Sequence, residues 1–505
     1  MNAALGNMFS KLMAMTFNQR TTAEKQLSVF PVPQLSAGNA AALRGVFRTS
    51  GFSASSNEDS AQLITLKRLF VRAETVAVDE AANALSPLDL AELIHAGLLQ
   101  REDRRVCSLL QAQSYRGLIF FSDFLHNDHA HDFVLPIGPA GHYLAGLTIR
   151  KSVNSALDLG CGCGVQALLA AQHCTRVTAT DVNPRALALT RLNADFNGVS
   201  NIEIIEGSFF DPVQGHTFDL VLANLPYVIA PQNKLVYRDS VQPRDAGLRR
   251  LIQEVPAYLA EGGYAHLLAN WIHGKDESWL QPLKTTIEGQ EVDAWLIHNG
   301  SKEPQDYADM WLDNRLKKDQ QKSAKIKKAW LKWYRDQGIE RIALGAVTLR
   351  RRASAHNWVN AASVTKSLDS PAGEQLMRIF EAQDYMAALL NRDDLLEENL
   401  IPLDMKFEKE SAAGNIQVVT TKGLFFQADI QPFTAEVIEH LDGKTGLRSA
   451  IQKAGSNWVS DSGQGNSLIG EIQTLLSLGM LVQSSSSRKE FSTLGLTHPS
   501  GFFGF

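Results

Sequence analysis

An Asn-Leu-Pro-Tyr run, Asn224-Leu225-Pro226-Tyr227, follows the apolar stretch Phe218–Ala223. These residue types suit one kind of chemistry. A planar NH2 conjugated to a carbonyl or a ring carries a poorly nucleophilic nitrogen. The Asn224 side-chain oxygen and the Leu225 carbonyl can each accept one of its N–H bonds, which fixes the nitrogen and turns its lone pair toward an electrophile. Tyr227 offers a flat face to the substrate group, and Pro226 stiffens the turn. The chemistry needs neither a strong general base nor a metal, because the proton can leave during or after the attack.

A second cluster lies upstream. In Asp158-Leu159-Gly160-Cys161-Gly162-Cys163-Gly164-Val165, glycines alternate after an apolar strand, so the backbone can pass close to a ligand before a helix begins. A dinucleotide fingerprint would want glycine at Val165, where a β-branched residue stands instead. Asp158 is expected to face a ligand ammonium, directly or through water. Asp181, 23 residues later at the end of the next strand, is placed to accept both hydroxyls of a ribose. The loop resembles that of S-adenosylmethionine-dependent methyltransferases. The resemblance implies S-adenosylmethionine as cofactor, held by Asp158, Gly160, Gly162, Gly164, Asp181, Val182, Ser208, Phe209 and Asn224. Ser208 departs from the acid that many such enzymes carry near the adenine, and backbone or Asp211 is expected to take over.

The elements that must position these residues follow an α/β rhythm. Apolar strands are expected at Ser155–Leu159, Arg176–Thr180, Ile202–Glu206 and Asp219–Ala223, with helices at Val165–Cys174 and Pro184–Phe196 between them. Strands alternating with helices of this length indicate a parallel, doubly wound sheet. Tyr264–Ala269, Val292–Leu296 and Arg341–Leu349 are read as its remaining strands. The chain of 505 residues, 44% hydrophobic and 20% charged, has the composition of a folded protein of about three domains. The expected organisation is an N-terminal helical or winged-helix cap (1–110), a Rossmann-like class I methyltransferase sheet (111–355), a helical linker (356–400) and a C-terminal winged-helix-like domain (401–505).

Net charge is −5, so any polyanion partner would need a local basic patch. Residues 315–352 hold thirteen Lys and Arg against three acids, and there the pattern reads as an amphipathic helix with its aromatics packed and its lysines in water. Four cysteines cannot staple a secreted framework, no apolar run is long enough to span a membrane, and no secretory signal opens the chain. A cytoplasmic location is therefore expected. The His and Asp residues of 126–132 are read as a solvated loop, and no metal site is expected.

Wider segments sharpen the resemblance. Val177–Leu187, Tyr237-Arg238-Asp239-Ser240, Leu268-Ala269-Asn270-Trp271 and Ala343–Arg351 are similar to large bacterial methyltransferases related to the release-factor glutamine methyltransferases. The Asn-x-Pro-Tyr loop resembles that of amino-methyltransferases acting on Asn or Gln amides, adenine N6 or guanine N2. Catalysis by Asn224, Leu225, Pro226 and Tyr227 is implied, with Tyr227, Tyr237, Arg238 and Trp271 as walls of the substrate pocket.

The C-terminal order, a strand at Leu424–Ala428, helices at 434–445 and 446–453, and a helix and wing after Ile469, looks like the winged-helix domains that bind leader peptides of ribosomal peptide natural products. In those an extended peptide adds a strand to a sheet edge. Core and C-terminal unit together are similar to the asparagine N-methyltransferases of proteusin maturation. The implied partner is a peptide or protein with Asn or Gln side chains, a leader-bearing precursor being one form. Methylation of rRNA nucleobases is the alternative, and a catalytically silent winged-helix binding protein ranks below both.

Overall fold

The computed structural model describes residues 30–52, 59–128, 130–231, 244–312, 320–354, 356–366, 368, 370–389, 392–410, 414–455 and 463–484. The chain forms two compact units, residues 1–362 and 363–505.

The first unit is built on an eight-stranded sheet. Its strands in chain order are β1 (Val153–Leu159), β2 (Cys174–Asp181), β3 (Ile202–Glu206), β4 (Phe218–Ala223), β5 (Leu259–His273), β6 (Val292–Lys302), β7 (Arg341–Arg351) and β8 (Val359–Ser363). Across the sheet they lie in the order β8-β6-β7-β5-β4-β1-β2-β3. The run β3-β2-β1-β4-β5 is parallel, while β7 runs antiparallel to both of its neighbours. The order reverses between β1 and β4, and such a switch point opens a crevice at the carboxyl ends of the strands.

The helices that matter to the site are α1 (Pro139–Leu147), α2 (Val165–Ala170), α3 (Pro184–Asn197), α4 (Ala246–Glu254), α5 (Gln281–Ile287), α6 (Pro304–Leu312) and α7 (Gln320–Asp336). Two boundaries differ from expectation. Helix α2 stops at Ala170 rather than Cys174, because a turn at 171–173 intervenes and Cys174 already pairs with Val153. Gly262-Gly263 does not break β5. The strand runs through with a register shift between Leu259 and Tyr264, and a Cβ on Gly263 would lie 2.8 Å from the Ala260 carbonyl.

The N-terminal segment has a winged-helix order: helix Ala61–Phe70, strand Val76–Ala77, helices Val78–Leu85 and Leu90–His95, then the hairpin Leu99–Glu102 and Arg105–Ser108. Asp89 caps the helix Leu90–His95, its carboxylate accepting the Ala91 N–H at 2.9 Å. This segment is not a separate core. Phe47 packs edge-on to Phe70 and against Phe121 and Phe196 of α3, so cap and sheet share one apolar cluster.

In the second unit, helix Gly373–Ala388 buries Leu376, Ile379 and Phe380, so it is a core helix and not a linker. Three antiparallel strands follow, Met405–Glu410, Ile416–Thr420 and Gln427–Ile430, and then three helices, Pro432–Glu439, Leu447–Ala454 and Gly463–Ser477. Leu400–Pro402 pairs with Leu481–Gln483. The strand expected at Leu424–Ala428 begins at Gln427, while Leu424, Phe425 and Phe426 are buried just before it. Residues 1–29 and 485–505 lie outside the described residues.

Candidate active site

A cavity of about 240 Å³ opens at the switch point. Its floor is the glycine loop. Gly160 and Gly164 adopt φ of +69° and +80°, which only glycine takes without strain. A Cβ on Gly160 would also sit 2.7 Å from the Leu225 side chain, so loop and catalytic turn touch.

Asp181 ends β2 as expected. Its Oδ2 accepts the Gly162 N–H at 3.0 Å and its Oδ1 the Asn183 N–H at 2.9 Å. Burial pushes its carboxyl above the usual range. Val182 lines the cavity with 51% of its surface exposed, an apolar face free for a flat ring. Ser208 and Phe209 complete that wall, and Phe209 holds a φ of +47° with the Arg250 guanidinium 4.8 Å from its ring centroid.

Asp158 lies elsewhere. It is buried beneath the loop, outside the cavity lining, and its Oδ2 accepts the Ala167 N–H of α2 at 2.9 Å. Burial raises its carboxyl to about 7. One of its oxygens thus holds the first turn of α2. Asp211 likewise is outside the lining and opens a short 3-10 turn. Cys161 and Cys163 are buried thiols, and burial pushes Cys163 up to about 12, so neither is a ready nucleophile.

Asn224, Leu225 and Pro226 stand at the end of β4 on the cavity wall. Leu225, Pro226 and Phe209 also line a second, smaller cavity with Tyr227, Asp245 and Asn270. The 224–227 turn thus divides two chambers. Its far end is clamped: the Ile229 N–H donates to the Tyr307 hydroxyl at 3.1 Å, and the Tyr334 hydroxyl donates to the Ile229 carbonyl at 2.8 Å. Both tyrosines are fully buried in the cluster formed by α6 and α7. Tyr227 packs edge-on to Trp311, and burial raises its hydroxyl, so it stays neutral.

Trp271 is not a wall residue. It is fully buried in the core on the other face of β5, and its indole N–H donates to the Trp279 carbonyl at 2.6 Å. The strand period of two puts Leu268 and Asn270 on the chamber side and Trp271 away from it. Tyr237 and Arg238 lie outside the described residues.

Sequence reasoning also missed the roof of the larger cavity, contributed by His131, Phe133–Gly138, Ala140 and Gly141. This irregular segment is pinned by tertiary bonds. Asp123 accepts the Val134 N–H at 2.8 Å while paired with buried Arg185, Gln113 accepts the Ile137 N–H at 2.9 Å, and Asn183 donates to the Asp132 carbonyl at 2.9 Å. Among the described residues no group of three His, Cys, Asp or Glu side chains is placed to hold a metal. Nor is any of their helices long and apolar enough to cross a membrane.

Residues 143–291 match the methyltransferase small domain family, and residues 36–109 match a domain of unknown function, DUF7059. The chain is 31% identical over 144 residues to a putative protein N5-glutamine methyltransferase of Methanocaldococcus jannaschii, spanning 27% of this chain and 72% of that protein. It is 33% identical to the release factor glutamine methyltransferase of Salmonella typhimurium, covering 24% of this chain and 47% of the relative. It is 34% identical to the ribosomal RNA small subunit methyltransferase C of Alcanivorax borkumensis, covering 23% and 32%. The match therefore spans less than half of the last two relatives.

S-adenosylmethionine fits the larger chamber. The glycine loop gives close backbone approach, Asp181 presents a carboxylate for ribose hydroxyls, and Val182 and Phe209 offer apolar faces for the adenine. When bound, the cofactor supplies an electrophilic methyl carried on a sulfonium. The glycine cradle, the Asp181 carboxylate and the matched sequence converge on one conclusion: the chain belongs to the S-adenosylmethionine-dependent methyltransferases of the methyltransferase small domain family.

Proposed function

We propose that this enzyme methylates side-chain amide nitrogens of Asn, and of Gln, in a peptide or protein, with a leader-bearing ribosomal peptide precursor as its natural substrate. The observation that carries the reading is the place of Asn224, on the wall of the larger chamber at the end of β4, next to Leu225 and Pro226, which line both chambers. Its side-chain oxygen and the Leu225 carbonyl hold the substrate NH2 and direct the nitrogen lone pair toward the larger chamber. Pro226 and the Ile229 clamp keep the turn from relaxing. A cofactor held by the glycine loop and Asp181 would supply the methyl as its sulfonium bond breaks, and the amide nitrogen would give its proton to water.

The leader reading is supported by three antiparallel strands followed by three helices in the second unit. The outer strands Met405–Glu410 and Gln427–Ile430 each pair on one side only within that sheet, so an extended peptide can add to an edge. The test uses labelled S-adenosylmethionine with Asn-rich and Gln-containing peptides, the same peptides carrying Asp and Glu, and total rRNA. Label on the amide peptides alone is expected.

A second reading, transfer to an rRNA nucleobase, has one observation in its favour. Lys325, Lys328 and Arg335 are exposed on α7, beside Lys332, which is paired with Asp336. Label on rRNA that declines steeply with salt would favour it.

A further inference from the structure

We infer that Asn270 reads the carbonyl of the substrate carboxamide, and that the smaller chamber is a subsite selecting carboxamides over carboxylates; this rests on the amide reading above. Asn270 is 4% exposed, yet it lines that chamber from the middle of β5. Its Nδ2 donates to the Tyr307 hydroxyl at 2.7 Å, and the same oxygen takes the Ile229 N–H at 3.1 Å. One phenol oxygen therefore fixes both the end of the catalytic turn and the orientation of the Asn270 amide. A carboxamide has two N–H donors and an oxygen with two lone pairs. Among the described residues, only the single bond to Tyr307 is made. The second N–H and Oδ1 remain for whatever enters the chamber.

Asp245 has a similar surplus. It is 7% exposed and lines the same chamber. Its Oδ2 accepts from the Arg249 guanidinium at 2.9 Å and from the Ile272 N–H at 3.2 Å, while Oδ1 takes no bond from a described residue. The chamber thus offers a donor at Asn270 and an acceptor at Asp245, between the apolar walls of Leu248, Leu251 and Leu268, with Leu225 of the 224–227 turn at its edge.

A substrate side chain with methylenes, a carbonyl oxygen and an NH2 answers each of these. Its carbonyl accepts from Asn270, its NH2 reaches the 224–227 turn beside Asp245, and the methylenes lie on leucine. A carboxylate of the same shape has no N–H and brings a negative charge beside Asp245. A site built for hydrogen bonding rejects such an analogue strongly, because its own buried groups are left unpaired.

The test uses the full chain and the Asn or Gln peptide that the wild-type enzyme methylates. Asn270→Ala and Asn270→Asp are expected to raise KM for that peptide about tenfold or more. S-adenosylmethionine affinity by calorimetry should stay at the wild-type level, while the melting temperature falls modestly because the buried Tyr307 hydroxyl loses a partner. Tyr307→Phe removes the hydroxyl that orients Asn270 and should shift peptide KM in the same direction by a smaller factor. A purely structural role would move cofactor affinity together with peptide KM.

Two results overturn the inference separately. Wild-type peptide kinetics in Asn270→Ala removes Asn270 as the reader while leaving the amide reading intact. A wild-type enzyme that methylates no amide peptide overturns the amide reading and the subsite with it.

Discussion

Asp181 and Asn224 both line the larger chamber, and variants should separate the cofactor role proposed for one from the amide role proposed for the other. Asp181→Ala is expected to abolish S-adenosylmethionine binding in calorimetry while the fold survives, because its carboxylate bonds only loop amides and faces the cavity. Asn224→Ala should keep cofactor affinity and lose turnover by about 100-fold or more, measured as single-turnover methyl transfer.

Asp158 gives a different kind of prediction. Its folded-state carboxyl is raised by burial to about 7, above its unfolded value, so the native state binds the extra proton between about pH 4 and 7. Its contribution therefore favours folding at low pH and is lost as pH rises toward 7. Buried His266 and His298, lowered by burial to about 3 and about 4, act in the opposite sense, so the wild-type curve mixes the two. The difference between wild type and Asp158→Asn isolates the aspartate. In cofactor-free protein the variant should gain on the wild type by a few kcal/mol between pH 5 and 8, read by denaturant unfolding.

At this scale the sequence was legible where chemistry is local. The Gly-x-Gly-x-Gly loop, Asp181 and the Asn224 turn are short motifs at strand ends, and all three line the cavity. Trp271 was taken for a wall because it is large and aromatic; the alternation of β5, set by which face meets the core, assigns that role to Asn270. The roof at 131–141 has no helical or strand period, and its position depends on Gln113, Asp123 and Asn183, far away in sequence.

Among elements, α6 and α7 have a role that neither composition nor charge announces. The lysines of α7 draw attention to its outer face, yet the inner face carries Trp330 and Tyr334 into the cluster that holds the catalytic turn. Tyr334→Phe leaves the Ile229 carbonyl buried without its donor, which costs about 1–3 kcal/mol. It is expected to lower kcat several-fold with cofactor affinity unchanged, measured by steady-state kinetics and calorimetry. The parallel strands were readable because their apolar runs are short and bounded by turn residues. The continuity of β5 through Gly262-Gly263 was not, because glycine pairs usually mark turns, and here close packing against β4 requires Gly263 while Gly262 takes a φ of +75°.

For the whole molecule, the division at residues 362 and 363 sets where the chain can be cut. Residues 1–362 contain the complete glycine loop, both chambers and the clamp, so this fragment is expected to bind S-adenosylmethionine as the full chain does. It should lose capture of a leader-bearing precursor, and the capture shown by the full chain should change little with salt, because main-chain bonds to a sheet edge carry little charge.

The central claim is transfer to a carboxamide nitrogen under the control of Asn224, and one measurement reads it directly. A peptide labelled with 15N at its Asn and Gln side chains is incubated with the enzyme and S-adenosylmethionine carrying a 13C methyl, and the product is observed by NMR. We expect a 13C methyl coupled to a side-chain 15N, present with the wild-type enzyme and absent with Asn224→Ala. A methyl on oxygen, on backbone nitrogen or only on the bases of added rRNA would contradict the account, as would an undiminished signal from Asn224→Ala.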